Sequence, residues 1–256
     1  LCRMIHPSAI VSSKAEIHPN AYIGPWCIVE DNVKIASGVR LEARVRVVSC
    51  TEIGENTKVF DGCVLGEAPQ DLKYNQEKTF LKIGKNCIIR EYCTLNRGTI
   101  ASGSTEISDG VLLMAYVHVA HDCRIGEGAV IANACQLGGH VQIGKYATLG
   151  GTAGVQQKNK VGDYAFVGAS LKVDRDVPPA VKALGNPLRY AGLNIHALKK
   201  FPEEFSPERI VFLEKTYRDL FRSKTPLSQS IESLKKSTEP LLRAFFENWS
   251  GVLINH

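Results

Sequence analysis

The chain has 256 residues, 44% hydrophobic and 22% charged, the composition of an ordinary globular protein and not of a disordered or fibrous one. No stretch approaches the roughly 20 apolar residues that span a bilayer, and no signal peptide is legible, so neither a transmembrane segment nor a secreted class is expected. The net charge is +5, and after Pro178 twelve Lys and Arg face eight Asp and Glu; this favours an acidic partner or substrate, although such a surplus is as readily a solvated helical surface. No nucleic-acid partner is expected.

The opening Leu1-Cys2-Arg3-Met4 does not read as a natural start, so a removed targeting segment or an artificial boundary is expected there. From Ile5 an aliphatic residue recurs every six positions through Ile17, Ile23, Val29, Ile35, Leu41, Ile53 and Leu65, then Ile83 to Val173. Of 29 positions on this grid only Asp71, Glu77 and Ala101 are not Ile, Val or Leu, which rules out chance. A helix needs a period near 3.6 and a lone strand alternates at 2, so a period of six means one inward aliphatic per flat side of a coil. Three sides make an 18-residue turn whose strands stack about 4.8 Å apart, a parallel β-helix of about nine coils over residues 1–178. Periodicity leaves its handedness open. Glycines following the aliphatic (Gly24, Gly54, Gly84, Gly126, Gly144, Gly162) are read as corners that require φ > 0.

Cys27, Cys63, Cys87, Cys93, Cys123 and Cys135 each lie four residues after a grid aliphatic, in a slot otherwise filled by Ala, Val or Thr. They are read as small core residues, not zinc ligands or disulfides, and many unpaired thiols point to a reducing compartment such as the cytoplasm. Residues 71–82 lose the grid twice and carry charge, so they are expected as an extruded loop, and 101–106 as a weaker excursion. After Pro178-Pro179 helical spacing takes over in 187–200, 206–222 and 228–249, a small α-helical C-terminal domain over 179–256. Its stripes, including Phe212, Tyr217, Leu220, Leu242, Phe246 and Trp249, are read as helix–helix core.

The chemistry is sought in polar residues that repetition does not require. His118-Val119-Ala120-His121-Asp122 and Gly138-Gly139-His140 stand out. Steps of 18 place His121, Gly139 and Gln157 in one column, with His140 one coil above His121 and one residue along. His121 suits general-base work, Asp122 would orient its imidazole, and the Gly139 N–H would face a developing oxyanion. A zinc site of the kind in hexapeptide-repeat carbonic anhydrases is disfavoured, because His118 and His121 are three apart and no His-x4-His occurs.

The stretches IGPWCIVEDNVKI, GEAPQDLKY, IREYCTLNRGT, LLMAYVHVAHDCRIG, GGHVQIG, DVPP and GNPLRYAGLNIHALKK occur in order over nearly the whole chain. Together they resemble the UDP-N-acetylglucosamine O-acyltransferases that begin lipid A biosynthesis. The resemblance implies a left-handed coil and a homotrimer with active sites between prisms. It implies transfer of an (R)-3-hydroxyacyl group from acyl carrier protein to the glucosamine 3-hydroxyl of UDP-N-acetylglucosamine, with the donor on the carrier's phosphopantetheine and no metal or other cofactor. By the same resemblance His121 is the general base, Asp122 its partner and Gly139 the oxyanion donor. Asp71 and Lys73 hold the acyl hydroxyl and sugar nucleotide; Gln70, His118, Asn133 and His140 line the sugar and acyl pockets; Gln157, Asn194 and Lys200 lie near the uridine and phosphates. The basic C-terminal helices would meet the acidic carrier protein.

Asn96 and Gln156 stand where the family usually has His, and His196 where it has Glu, which bears on nucleotide contact. Ala169 occupies a position where long-chain members carry Gly, so a medium-length donor is expected. Two rivals remain. An N-acyltransferase of the same pathway carries an added N-terminal uridine-binding domain, which a repeat starting at Ile5 disfavours, and a non-catalytic β-helix scaffold is disfavoured by the His121, Asp122 and Gly139 set. A mitochondrial or other organelle matrix is the alternative location if a transit peptide was removed.

Overall fold

A computed structural model describes residues 5–222, 227–247 and 249–254. The chain winds as a left-handed parallel β-helix with three flat faces of nine, eight and ten strands. The first runs from Ile10–Val11 to Lys172–Val173 and contains His118–Val119, the second from Glu16–Ile17 to Lys160–Val161 and contains Arg124–Ile125, and the third begins at Tyr22–Ile23 and contains Val130–Ile131. They are called here the His118, Arg124 and Val130 faces. Most strands are two residues long, because one polar side chain points out and one aliphatic points in before the chain turns, as in Lys34–Ile35. Undisturbed coils pair residues 18 apart, Ile10 with Ile28 and Val11 with Val29.

The inward aliphatics stack into one core, with Ile23, Leu41, Val59, Ile89, Leu113, Ile131, Leu149 and Val167 all shielded from solvent. Each contributes about 1.5–3 kcal/mol of transfer free energy, largely offset by chain ordering. The six coil cysteines are free and buried. Their thiols close the corners by donating to carbonyls of the next coil, Cys123 Sγ to Gly138 O and Cys135 Sγ to Gly150 O, both at 3.1 Å. Burial pushes the Cys123 thiol up to about 12.

The corner glycines have a different cause from the one expected. Gly24, Gly54 and Gly126 are not at positive φ; a Cβ there would lie 2.5 Å from Glu42 O, 2.6 Å from Gly84 C and 2.6 Å from Lys145 N, so they are required by the close approach of the next coil's backbone. The positive φ falls three residues after the aliphatic, on Trp26, Asn32, Arg44, Tyr92, Asp122 and His140 among others. A non-glycine residue in that region costs about 1–2 kcal/mol, repaid by the ladder the corner completes.

Four boundaries also differ. The extruded segment is 68–79, since Phe80–Ile83 is a strand paired to Thr51–Ile53 and Ser104–Ile107. The second excursion is a turn, with Ser104–Ile107 already back on the Arg124 face. Past Pro179 the β structure continues: Val181–Leu184 extends the Val130 face, and Arg189–Leu193 pairs back antiparallel, where a helix over 187–200 was expected. Only one turn, α1 (Ile195–Leu198), is helical there. Helix α2 (Pro207–Arg222) starts as expected with Ser206 Oγ accepting from Arg209 N at 3.3 Å, but the stretch 228–249 is split into α3 (Leu227–Lys235) and α4 (Pro240–Phe246) because Pro240 cannot continue a helix.

These helices dock on the last coils through Tyr217 Oη donating to Pro179 O at 2.6 Å and Trp249 Nε1 donating to Asp176 Oδ2 at 2.7 Å. Tyr217, Leu220, Leu242 and Phe246 form the expected core, whereas Phe212 is exposed.

Candidate active site

Both breaks in the repeat occur at one corner of the prism, where the His118 face turns into the Arg124 face. Val64 pairs with Thr94, 30 residues on, and Thr94 with His118, 24 residues on, so the insertions are twelve and six residues long and the phase is kept. The next three coils return to a step of 18, His118 to Gln136 to Gly154, and place His121-Asp122, Gly139-His140 and Gln157-Lys158 at the same corner. The first insertion is tethered from the residue just before the second: Arg97 Nε donates to Tyr74 Oη at 3.0 Å and its Nη1 to Gly66 O at 3.2 Å. Asn96 is buried and donates to Ala68 O at 2.9 Å, so its amide fastens the loop.

His121 Nδ1 lies 2.7 Å from Asp122 Oδ2, and the Asp122 side chain is wholly shielded. Burial alone would raise this carboxyl, but donors from Ser102, His121 and Thr99 outweigh it and hold it down at about 2. Such a carboxylate only accepts, so the imidazole proton sits on Nδ1 and the Nε2 lone pair is left free. Its four acceptor positions are filled: Oδ1 by Thr99 N at 2.9 Å and by Ser102 Oγ, Oδ2 by Thr99 Oγ1 at 2.7 Å and by His121. Asp122 N in turn donates to Thr105 Oγ1 at 2.8 Å.

Gly139 stacks on His121. A Cβ there would lie 2.6 Å from both Cε1 and Nε2 of the imidazole, so any side chain would cover the basic nitrogen. Among the described residues no acceptor engages the Gly139 N–H. His140, directly above Asp122, meets His121 edge to face with centroids 5.1 Å apart, and its Nε2 stands 3.6 Å from Asp122 Oδ2, too far for a hydrogen bond. His118 Nδ1 is 2.8 Å from Thr94 Oγ1, and burial holds this imidazole below its ordinary range.

An open groove of about 510 Å³ runs over these residues, with Gln70, His118, His121, Gly139 and Gln157 on its walls. Gln156 and Lys172 also line it, and Lys172 brings a cation that repeat arithmetic had not singled out. His121, Asp122 and His140 have potential ligand atoms within 4.8 Å of one another. Every acceptor position of Asp122 is already occupied by a protein donor. A second groove, about 360 Å³ between the Arg124 face and α4, contains no imidazole.

The remaining expected site residues are spread over the chain. Asp71 and Lys73 follow Gln70 on the first insertion, where Lys73 N donates to Asp71 Oδ1 at 3.0 Å. Asn133 and Ala169 are exposed at the other edge of the His118 face, two coils apart in one column. Asn194 is the buried cap of α1, its Nδ2 donating to Tyr164 O at 2.9 Å, so its amide is engaged away from the groove; Lys200 is exposed just beyond that helix. Thr99, Ser102 and Thr105 were missed. Their signal was present, since two hydroxyl residues in the excursion and Thr105 just after it lie one coil before His121 at the same corner.

Known proteins share this arrangement. The family profile described as Udp N-acetylglucosamine O-acyltransferase; Domain 2 matches residues 176–250, and the bacterial transferase hexapeptide (six repeats) profile matches 8–43 and 104–139. The acyl-[acyl-carrier-protein]--UDP-N-acetylglucosamine O-acyltransferase of Thermodesulfovibrio yellowstonii is 45% identical over 233 residues, 91% of this chain and 90% of that protein. The crystal structure of the UDP-N-acetylglucosamine O-acyltransferase of Moraxella catarrhalis superposes with a TM-score of 0.92 at 37% identity, covering 98% of this chain and 100% of that one. The Arabidopsis UDP-N-acetylglucosamine acyltransferase gives 0.82 at 30% identity, covering 97% and 99%. By sequence, coverage and fold, the chain belongs to the UDP-N-acetylglucosamine O-acyltransferase family and is an acyltransferase.

Proposed function

We propose that the protein transfers an (R)-3-hydroxyacyl group from acyl carrier protein to the glucosamine 3-hydroxyl of UDP-N-acetylglucosamine, the first step of lipid A biosynthesis, with His121 as general base. The observation that carries the mechanism is the imidazole clamped through Nδ1 on an ionised carboxylate, its Nε2 bare toward the groove beside Gly139. His121 Nε2 takes the proton from the sugar hydroxyl as its oxygen attacks the thioester carbonyl carbon. The Gly139 N–H faces the resulting oxyanion. The carbon–sulfur bond then breaks, and the imidazolium returns the proton to the departing phosphopantetheine thiolate. No metal, cofactor or covalent enzyme intermediate is needed in this sequence.

Gln70 and His118, on the groove wall, would contact sugar and acyl groups together with Asp71, Lys73, Asn133 and His140, and Gln157 and Lys200 the nucleotide. Asn194, already engaged as a cap, would act by fixing α1. A homotrimer is part of this reading. Trp26, Tyr92 and Tyr116 are exposed along the edge between the Val130 and His118 faces, with Ile10 and Ile28 exposed beside them. A second prism seated on this edge would cover those apolar side chains and close the groove. The free buried cysteines favour a reducing compartment, cytoplasm or organelle matrix. Among the described residues no helix is long and apolar enough to cross a membrane.

The test is turnover of UDP-N-acetylglucosamine with 3-hydroxyacyl carrier proteins of graded length, for wild type and His121→Ala. Wild type should use medium-length donors best, Ala169→Gly should move the optimum to longer chains, and His121→Ala should lose activity. Turnover by His121→Ala at the wild-type rate would overturn the mechanism. Best use of the longest donor, unmoved by Ala169→Gly, would overturn the chain-length reading.

A further inference from the structure

The six-residue break at 98–103 places a backbone N–H and two hydroxyls against the carboxylate of Asp122. We propose that Thr99 and Ser102 are positioning residues for acyl transfer: they lock the Asp122 carboxylate onto His121 and away from His140, and so decide which of two adjacent imidazoles acts as the base. The inference rests on the reading of His121 as general base and extends it.

The geometry gives the carboxylate a choice. Oδ2 lies 2.7 Å from His121 Nδ1 and 3.6 Å from His140 Nε2, so a small rotation of the carboxylate would exchange partners. The Thr99 hydroxyl prevents it. Its proton lies on Oδ2 at 2.7 Å, while its oxygen accepts from Ala101 N at 3.2 Å, so the hydroxyl is oriented from behind. Oδ1 is pinned from the same segment by Thr99 N and Ser102 Oγ. Ser102 Oγ also has Ser104 O within 2.9 Å, but its single proton goes to the anion, the stronger acceptor. Thr105 completes the set by accepting from Asp122 N, which fixes the left-handed corner from which the carboxyl springs. The titratable groups against this carboxylate are the two imidazoles and the thiol of the adjacent Cys123.

The position of the break supports the same conclusion. Six residues are one repeat unit, so the insertion leaves coil register intact and serves no purpose in stacking. It lies one coil below His121 at the corner His121 occupies. Thr99 and Ser102 touch Asp122 and not the groove, so they act through it.

The test uses the full chain with acyl carrier protein thioester and UDP-N-acetylglucosamine. Thr99→Val and Ser102→Ala should each lower kcat by about 10- to 100-fold, the rate equivalent of one hydrogen bond to a charged group, with KM for the sugar nucleotide within about twofold. With the carboxylate free to turn toward His140, the His121 imidazolium loses part of its partner, so the acid limb of kcat/KM should move downward by about half a pH unit. Thr99→Ser, which keeps the hydroxyl, should restore both. Thermal unfolding separates these effects from a folding defect, since loss of folded protein lowers apparent kcat without moving the pH limb. Wild-type kcat and an unmoved limb in folded Thr99→Val and Ser102→Ala would overturn the proposal, even where His121→Ala is dead and the general-base reading stands. An active His121→Ala would instead remove that reading.

Discussion

Replacing Asp122 by Asn tests the centre of the site with nearly no change of volume. The wild-type carboxylate receives four donors, two per oxygen, and an amide accepts only at its oxygen. The hydroxyls of Thr99 and Ser102 can rotate, but Thr99 N–H is a fixed backbone donor, so the amide oxygen must take the Oδ1 position. The NH2 group then faces His121 Nδ1, which can meet it only by giving up its own proton. The imidazole changes tautomer, Nε2 becomes protonated, and the base toward the groove is lost. The buried negative charge opposite the developing imidazolium is lost as well, a term of up to about 4 kcal/mol at 4 Å and an effective dielectric near 20. That corresponds to about a thousandfold, and tautomer inversion in a Ser-His-Asp triad lowers kcat by about ten-thousandfold. We therefore expect Asp122→Asn to lose at least about a thousandfold in kcat with KM little changed.

Stability carries a second signature of the same substitution. A carboxyl lowered from 3.8 to about 2 gains roughly 2 kcal/mol in its ionised form, which the variant forgoes at pH 7. Because the folded-state value is depressed, this contribution is complete above about pH 4 and is lost as the pH falls through 2. The stability gap between wild type and Asp122→Asn, read by denaturant unfolding, should therefore be full at pH 7 and mostly closed at pH 2. A variant within tenfold of wild-type kcat would refute the tautomer argument. A gap that persists unchanged at pH 2 would refute the assignment of an ionised Asp122 as its source.

Gly139→Ala should abolish most activity with little loss of stability, since the three atoms nearest the added methyl all belong to the His121 side chain; unfolding and initial rates measured together check both halves. The six coil cysteines should resist thiol reagents in the native state and react on unfolding, as followed by mass spectrometry, because all six are shielded from solvent and burial raises the Cys123 thiol to about 12. Tyr116→Asp, placed where Tyr92 and Tyr116 stack with centroids 5.3 Å apart on the exposed edge, should give a monomer by sedimentation and lose activity with the proposed trimer.

The fold was legible because it is periodic. One inward aliphatic per six residues predicts the faces, the coil length and the place of six of the eight cysteines without any long-range information. The corner glycines were misread for an instructive reason: sequence shows that a side chain is absent but not whether a torsion or a neighbouring backbone excludes it. At Gly24 it is the carbonyl of Glu42. The C-terminal errors have another origin, since Arg189–Leu193 is short and amphipathic at either period and becomes a strand because Val181–Leu184 offers it an edge. Within the site, column arithmetic put Gly139 over His121, yet it did not show that Asn194 and Asn96 each donate an amide to a local carbonyl, Tyr164 O and Ala68 O. Hydrogen-bond commitments of that kind have no period and leave no trace in spacing.

The break at 98–103 invites a last experiment that separates scaffold from chemistry. Its removal joins Arg97 to Ser104 and leaves Leu95-Asn96-Arg97-Ser104-Thr105-Glu106-Ile107, one regular unit of the repeat. Ser104 would take the left-handed position, Thr105 the small inward slot it already fills as a buried residue, and Glu106 the outward site beside Ile107. The Arg124 face would step from Phe80–Ile83 by 18 in place of 24, so the ladder closes in register. The deleted chain should therefore fold as a β-helix, losing the donors that hold Asp122 and about 2–3 kcal/mol with them. Its far-UV circular dichroism should match wild type while kcat falls by at least about a hundredfold, the equivalent of losing two charged hydrogen bonds. A chain that fails to fold would show that the break is needed by the prism; a fully active one would show that His121 needs no help from below. The expected outcome, folded and nearly inactive, assigns the irregularity to catalysis: the repeat builds the corner, and the six residues that interrupt it hold the carboxylate in place.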